Sequence, residues 1–163
     1  MEGGAVDDAD DDGGPTRWGI SSRSYPNLNL ETLTLEKAKA IYRADYWLKV
    51  RGDALEWPLN LVLFDWAVHS GPSTAIMTLQ KVLGVKIDGK FGPDTKKSAA
   101  AAHQTALIRE LIEERQESMI LQAIAKPAKL KYLSNGKRVG AGGWVGRIVA
   151  LSMECGASLT RSS

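Results

Sequence analysis

The chain has 163 residues, of which 44% are apolar, and its formal net charge is +2. A chain of this size forms one ordinary domain, or two small ones that share a core, and it has enough apolar residues to fold unaided. Its single cysteine, Cys155, excludes an internal disulfide bond, and no apolar run approaches the roughly 18 residues that span a bilayer. Folding must therefore rest on packing.

Acidic and basic residues are unevenly distributed along the chain. Residues 1–16 hold six acidic and no basic residues, whereas the rest of the chain holds 21 basic and 13 acidic ones. A positively charged body suits an anionic polymer such as nucleic acid or a cell-wall glycan, and charge alone does not choose between them. The N-terminus lacks the basic and apolar regions of a signal peptide, so we expect synthesis in a reducing cytoplasm.

The stretch from 2 to 21 concentrates acidic residues and glycines. Glu2 precedes a glycine pair, five aspartates follow between positions 7 and 12, and a second glycine pair precedes Thr16. The glycines predict a loop with tight turns and at most a short strand near Trp18 to Ser21.

Three uses of this loop are compatible with its composition. The first is a disordered acidic tail. The second is calcium binding, since residues 8–13 match the first half of an EF-hand loop, although Gly19 occupies the position of its bidentate glutamate and no long helix precedes it. The third is hydrolysis of a glycosidic bond, which needs a protonated carboxylic acid and a second polar or acidic group. Glu2 with Asp10 or Asp11 supplies that pair, and the hydroxyl of Thr16 can hold a water.

Helical patterns dominate the rest of the chain. Thr34 is the predicted N-cap of a helix that ends near Leu48. Pro58 fits the first position of the next helix, which is apolar nearly all round and stops at Gly71-Pro72. We expect this helix to be the buried centre of a compact helical bundle.

Further helices are predicted towards the C-terminus, and no strand signal of any length competes with them. Residues 88–93 form a predicted double turn in which Gly89 and Gly92 permit positive φ. Residues 126–143 are predicted to form a mobile basic connection between helices. The predicted helices run from Ser73 to Leu83, from Pro93 onward, from Thr105 to Ala125 and from Trp144 to Met153. The sequence therefore predicts a mainly α fold.

Four motifs in this order resemble glycoside hydrolase family 108, which comprises lysozyme-like N-acetylmuramidases, many of them phage endolysins. The motifs are E-G-G-x5-D-D-x-G-G-x-T-x-x-G-I from position 2, A-x-x-I-Y-R-x-x-Y-W at 38–47, F-D-x-A-V-x-S-G-P at 64–72 and L-Q-x-x-L-G-x-x-x-D-G-x-x-G-P-x-T at 79–95. The resemblance implies a lysozyme-like fold of the α+β superfamily with minimal β structure. It also implies a catalytic region at 1–73, a peptidoglycan-binding region at 74–155 and a tail at 156–163.

The resemblance assigns roles to individual residues. Glu2 matches the family's catalytic glutamate and is the expected general acid. A Glu, Asp, Thr series at similar spacing recurs in phage lysozymes, and by that likeness Asp10 or Asp11 and Thr16 are expected to support Glu2. Only Met1 precedes the E-G-G motif, where family members usually carry a helix. His69 stands where the family usually has asparagine, and its charge would vary with pH.

Substrate contacts are expected from residues that can stack on sugar rings or donate hydrogen bonds. The alternative for the aromatic members is a place in the core, which is commoner for rings on the helices of a small protein. The candidates are Trp18, Tyr42, Tyr46, Trp47 and His69. Two scattered histidines and one cysteine give no zinc signature, and acid–base hydrolysis needs no cofactor.

We therefore expect a peptidoglycan hydrolase that cleaves the β-1,4 bond between N-acetylmuramic acid and N-acetylglucosamine. Its expected partner is the glycan strand, with no nucleic acid, no stable membrane insertion and a monomeric state. The expected setting is a phage or prophage endolysin, made in the host cytoplasm and acting on the cell wall after release. The alternative is a non-catalytic peptidoglycan-binding relative, truncated before its catalytic glutamate. A calcium-binding or nucleic-acid-binding module is the third hypothesis.

Overall fold

Helices make up most of residues 15–125 and 151–155, which are the residues that the computed structural model describes. Within these ranges the only sheet is one two-stranded hairpin, so the predicted mainly α, lysozyme-like fold with minimal β structure is confirmed. The elements are β1 (Thr16–Arg17), β2 (Ile20–Ser21), α1 (Leu35–Tyr42), α2 (Leu59–Ser70), α3 (Pro72–Val82), α4 (Pro93–Ala101) and α5 (Gln104–Ala125).

The chain divides into two compact units, Met1–Asp45 and Tyr46–Ser163. The boundary falls inside a π-helical turn, Arg43–Trp47, which directly follows α1. A short 3-10 turn, Gly52–Ala54, comes next along the chain. The sequence analysis expects a different boundary, after residue 73, between a catalytic and a binding region. That functional boundary stays a prediction.

In the first unit, α1 begins where its capping residue predicts. The hydroxyl of Thr34 accepts a hydrogen bond from the backbone N–H of Lys37 at 3.3 Å, which confirms Thr34 as the N-cap. Ala38 on the inner face of α1 packs with Ile20 of β2 and Leu33 of the preceding loop. These three buried residues form the small core of this unit.

The second unit is organised around α2. Its buried residues are Leu59, Val62, Leu63, Trp66 and Ala67, which lie on several sides of the helix, and α2 contacts both α3 and α5. This confirms the predicted central buried helix. The helix begins at Leu59, one residue later than predicted, because Pro58 takes the cap position with φ −95° and ψ 6°. Gly71, at φ +88°, makes the sharp turn between α2 and α3.

The C-terminal part of the second unit is described only in residues 151–155. These residues are helical, and Leu151 and Cys155 are buried in the same core as α2. The predicted basic connection at 126–143 and most of the predicted helix from Trp144 lie outside the described residues. Among the described helices, none has the length and apolar character required to cross a bilayer.

A buried ion pair joins α2 to α5. Arg115 of α5 has 1% of its side chain exposed, and its Nη1 donates to Oδ2 of Asp65 on α2 at 2.5 Å. A carboxylate on a largely apolar helix needs a partner, because an isolated charge is costly to remove from water. The pair lies between two packed helices, so loss of either partner would leave the other charge without its main compensation.

We predict that Asp65→Asn lowers the free energy of unfolding by about 3 kcal/mol, because the buried guanidinium of Arg115 loses the opposing charge. Urea denaturation followed by circular dichroism measures this change. Asp94→Asn is the matched control: Asp94 is exposed in the first turn of α4 and its loss should cost less than about 1 kcal/mol. Equal losses in the two variants would contradict the structural role assigned to the pair.

Candidate functional site

Three of the candidate catalytic residues, Glu2, Asp10 and Asp11, lie outside the described residues, and their roles stay predictions. The described chain begins at Pro15, immediately after this stretch. The hairpin that follows carries the fourth candidate, Thr16. The geometry of the hairpin therefore shows how the chain is fixed directly after the predicted catalytic loop.

The β1–β2 hairpin is held by backbone pairing and by one arginine. Thr16 lies opposite Ser21 and Arg17 opposite Ile20, in antiparallel register. The N–H of Ser22 extends the pairing by donating to the carbonyl of Pro15 at 3.0 Å. The guanidinium of Arg17 donates to the carbonyls of Leu30, at 3.1 Å, and of Glu31, so the hairpin is tied to the loop before α1. Thr16 is half-buried in this arrangement.

Two of the candidate substrate-binding residues, Trp18 and Tyr42, lie against each other in the first unit. The indole N–H of Trp18 donates to the carbonyl of Leu33 at 3.3 Å, and the hydroxyl of Tyr42 donates to the carbonyl of Trp18 at 3.1 Å. Both rings pack partly buried on the core of Ile20, Leu33 and Ala38. The alternative core role therefore accounts for both rings, and a direct contact with substrate stays a prediction.

Gly19 completes the turn between the two strands. Trp18 and Gly19 have φ values of +55° and +76°, which matches the two-residue hairpin turns that need positive φ at both positions. A Cβ atom at position 19 would come within 2.6 Å of the Tyr42 hydroxyl oxygen. The turn thus requires glycine for two reasons, its backbone angle and the close approach of Tyr42.

The other three substrate-binding candidates, Tyr46, Trp47 and His69, lie in the second unit. Tyr46 packs partly buried against its core. The indole N–H of Trp47 donates to Oδ1 of Asp53 at 2.7 Å, and its ring meets Phe64 edge to face at a centroid distance of 5.7 Å. These contacts give both rings a packing role.

His69 lies one residue before the end of α2 and is half-buried. Its Nδ1 is 2.8 Å from the hydroxyl oxygen of the adjacent Ser70. Within residues 15–125 and 151–155, no cluster of three or more histidine, cysteine, aspartate or glutamate side chains is arranged to hold a metal ion.

One hydrogen bond in the first unit could not be predicted from the sequence. The hydroxyl of Tyr25, in the irregular loop after β2, donates to Oδ2 of Asp45 at 2.7 Å. The two residues are twenty positions apart and belong to no common motif. The contact fixes the loop against the end of the helical segment that begins with α1.

The turn at residues 88–90 is fixed by Gln80 of α3, whose importance the sequence analysis missed. The amide nitrogen of Gln80 donates to Asp88 Oδ1 at 2.9 Å, to the carbonyl of Lys90 at 3.0 Å and to the hydroxyl of Thr95 at 3.2 Å. Its amide oxygen accepts from the N–H groups of Asp88 and Gly89, at 3.0 and 2.9 Å. The L-Q…D-G…T spacing of the fourth motif was the signal for this arrangement.

The turn itself uses one of its two glycines for positive φ. Gly89 has φ +69°, and a Cβ atom there would come within 2.6 Å of the Ser73 hydroxyl oxygen on α3. Gly92 instead has φ −100° and ψ −176°, an extended conformation that caps α4. The hydrogen bond from Gln80, followed by that from the Lys90 backbone N–H, lowers the pKa of the Asp88 carboxyl below its ordinary value.

Comparison with known proteins identifies the family of this chain. The family model described as Glycosyl hydrolase 108 matches residues 1–71, a range that holds the first two motifs and nearly all of the third. The chain is also similar to the solved structure of SagA from Brucella abortus, with 32% sequence identity, a TM-score of 0.71 and coverage of 96% of this chain and 87% of that one. A search of curated proteins found no match.

We predict that Gly19→Ala destabilises the first unit more than Gly84→Ala destabilises the second. Both glycines have positive φ, but a Cβ at Gly84 meets nothing within 4 Å, so only the backbone cost of roughly 1–2 kcal/mol applies there. Amide hydrogen exchange of each unit measures the two losses. Tyr42→Phe removes the clashing oxygen, so its combination with Gly19→Ala should be less than additive. Full additivity would show that the close approach of Tyr42 does not matter.

We predict that Asp88 stabilises the turn more when its carboxyl is ionised than when it is protonated. Its pKa is lowered in the folded protein, so the contribution is present above the unfolded pKa of about 3.9 and is lost as pH falls through the folded pKa. The difference in unfolding free energy between wild type and Asp88→Asn should therefore shrink on acidification below about pH 4. Denaturant titrations across this range measure it, and a constant difference would refute the prediction.

Proposed function

This chain belongs to glycosyl hydrolase family 108, and we propose that it is a muramidase that cleaves the β-1,4 bond between N-acetylmuramic acid and N-acetylglucosamine in peptidoglycan. The observation that carries the proposal is the match of residues 1–71 to the family model, because this range includes the E-G-G motif with Glu2. Similarity to the solved structure of Brucella abortus SagA over 96% of the chain supports a fold shared with that protein.

The proposed reaction is acid-catalysed hydrolysis. The protonated carboxyl of Glu2 gives its proton to the glycosidic oxygen, and the bond between that oxygen and the anomeric carbon breaks. Positive charge develops on the anomeric carbon, and a carboxylate such as Asp10 or Asp11 stabilises it or accepts a proton from the attacking water. The water adds its hydroxyl to the anomeric carbon and gives its other proton to that carboxylate or to the ionised Glu2, while the Thr16 hydroxyl holds the water in place.

The described hairpin supports this proposal by its rigidity. A catalytic loop works only if its ends are held in a fixed geometry. Arg17 and Trp18 each donate side-chain hydrogen bonds to backbone carbonyls between positions 30 and 33, and Tyr42 donates to the carbonyl of Trp18. These contacts fix the chain directly after Thr16, so the C-terminal end of the predicted catalytic loop is anchored.

The biological setting is also a proposal. We infer a phage or prophage endolysin, made in the bacterial cytoplasm and acting as a monomer on the cell wall once it has been released. In this proposal, residues 74–155 bind the wall and residues 1–73 cleave it. The second candidate function is wall binding without catalysis, carried by residues 74–155 alone.

We predict that Glu2→Gln lowers the release of reducing ends from purified sacculi by about 10²- to 10⁴-fold, because the amide cannot donate the required proton. Glu36→Gln is the matched control, since Glu36 is exposed in the first turn of α1 and should not affect the rate. Circular dichroism checks that both variants remain folded. If wild-type protein sediments with sacculi yet releases no reducing ends, the binding function replaces the hydrolase.

A further inference from the structure

A short loop of the first unit is built on the hairpin that carries Thr16. Ser21 lies opposite Thr16 in that hairpin, and its carbonyl accepts from the N–H of Tyr25 at 3.1 Å. The hydroxyl of Ser21 accepts from the N–H of Ser24 at 3.2 Å. The N–H of Leu28 closes the loop by donating to the carbonyl of Tyr25 at 3.0 Å. These bonds fix the loop beside the strand that directly follows the predicted catalytic loop.

The side chain of Tyr25 is held in two ways. Its ring packs partly buried on the core around Ala38, as does the side chain of Leu28. Its hydroxyl donates to Oδ2 of Asp45 at 2.7 Å. The position of the ring is therefore set before any ligand arrives, which lowers the entropy cost of binding at its exposed part.

The loop lines a cavity of about 360 Å³. Its walls are five consecutive residues, Ser24, Tyr25, Pro26, Asn27 and Leu28. Pro26 and Asn27 are exposed, whereas Tyr25 and Leu28 are half-buried. A cavity of this volume lies at the lower end of the range for small-molecule sites, so it suits a single sugar ring more than a longer ligand.

The lining combines ring faces with uncharged polar groups. None of the five lining side chains carries a charge, and the charged neighbours Arg23 and Asp45 are not among them. A pyranose ring presents a face of C–H groups and a rim of hydroxyls. Such a ring packs on the faces of Tyr25 and Pro26 and hydrogen-bonds to neutral groups at its edge. The lining therefore favours a neutral sugar ring over an ion.

Two polar groups of the lining are available to a ligand. Ser21 donates its hydroxyl proton to the hydroxyl oxygen of Ser24 at 3.0 Å, which leaves the proton of Ser24 for another acceptor. Within residues 15–125 and 151–155, the exposed amide of Asn27 makes no hydrogen bond. An amide both donates and accepts, so it matches the N–H and the carbonyl of an acetamido group.

We propose that the cavity lined by residues 24–28, here called the Tyr25 pocket, is a subsite for one N-acetylhexosamine ring of the glycan strand. The sugar packs on Tyr25 and Pro26, and the Asn27 amide hydrogen-bonds to its acetamido group. Asp45 is the positioning residue, because it holds the Tyr25 hydroxyl. The inference rests on the proposed function in one respect, that the substrate is peptidoglycan. It deepens that function by assigning a sugar contact to a loop that no motif indicated.

Calorimetric titration of the full chain with chitotetraose, the tetramer of N-acetylglucosamine, tests the subsite. The tetramer carries N-acetylhexosamine rings and no stem peptide, so its binding reports contacts with sugar alone. We expect Asn27→Ala to weaken this binding by roughly three- to tenfold, the effect of one lost hydrogen bond. Gln116→Ala is the matched control, because Gln116 carries an exposed amide on α5 and does not line the cavity. It should bind the tetramer as wild type does.

Variants of Tyr25 and Asp45 test the positioning role. Tyr25→Phe keeps the ring but removes the hydroxyl, and Asp45→Ala removes its acceptor. We expect each to weaken tetramer binding by about threefold and to raise the KM on soluble glycan strands by the same factor, with kcat unchanged. Asp45→Asn keeps an oxygen that accepts from Tyr25, so it should restore wild-type values. A merely structural role would instead lower the folded fraction and hence kcat, with KM unchanged.

Three results would overturn the proposal: equal binding of the tetramer by wild type and Asn27→Ala, equal loss of binding in Gln116→Ala, or no binding by wild type. Release of reducing ends from sacculi is measured with the same proteins, so the two proposals can fail separately. Hydrolysis by wild type, with tetramer binding that ignores Asn27, leaves the muramidase and removes the Tyr25 pocket. Binding that depends on Asn27, without hydrolysis by wild type, removes the muramidase and leaves the pocket as a sugar site.

Discussion

The second unit depends on the burial of one cation. Arg115 lies inside the protein on α5, and its guanidinium donates to Asp65 on the central helix α2. Apolar packing between these helices is not directional, but a buried charge tolerates only positions in which its partner is within reach. The pair therefore limits the positions in which α2 and α5 can pack, and the apolar residues around it supply most of the stabilising free energy.

Two short turns are each held in part by one side chain from a neighbouring helix. In the first unit, Tyr42 donates to the Trp18 carbonyl and sits so close to Gly19 that no other residue fits there without rearrangement. In the second unit, Gln80 satisfies backbone and side-chain groups of the turn around Asp88. In both cases a helix supplies the fixing group, and this is how a small helical protein holds irregular backbone in one conformation.

The proposed catalytic and binding functions use different residues. In the proposed function, catalysis is assigned to Glu2 and its supporting acids, whereas wall binding is assigned to residues 74–155. Separate catalytic and binding regions suit a polymer substrate. Binding at a second place raises the effective concentration of glycosidic bonds near the catalytic groups. The two functions are therefore separable by substitution.

The sequence by itself determined the helices, their order and the family. Thr34 and the Gly71-Pro72 pair mark helix ends through local capping and backbone preferences, which depend on a few neighbouring residues. The roles of the aromatic residues were harder to predict. Their capacity to stack on sugar rings made Trp18 and Tyr42 candidate substrate contacts, and only the fold shows that both pack on the same small core.

The tertiary structure alone decided the partners that lie far apart in the chain. Asp65 needed a cation, but nothing in the local pattern selects Arg115, fifty positions away, among 21 basic residues. The same holds for Asp88, whose Oδ1 accepts a hydrogen bond from Gln80 of α3 while the side chain stays exposed. Local sequence sets backbone preference, whereas the direction of a side chain and its distant partner follow from how the helices pack together.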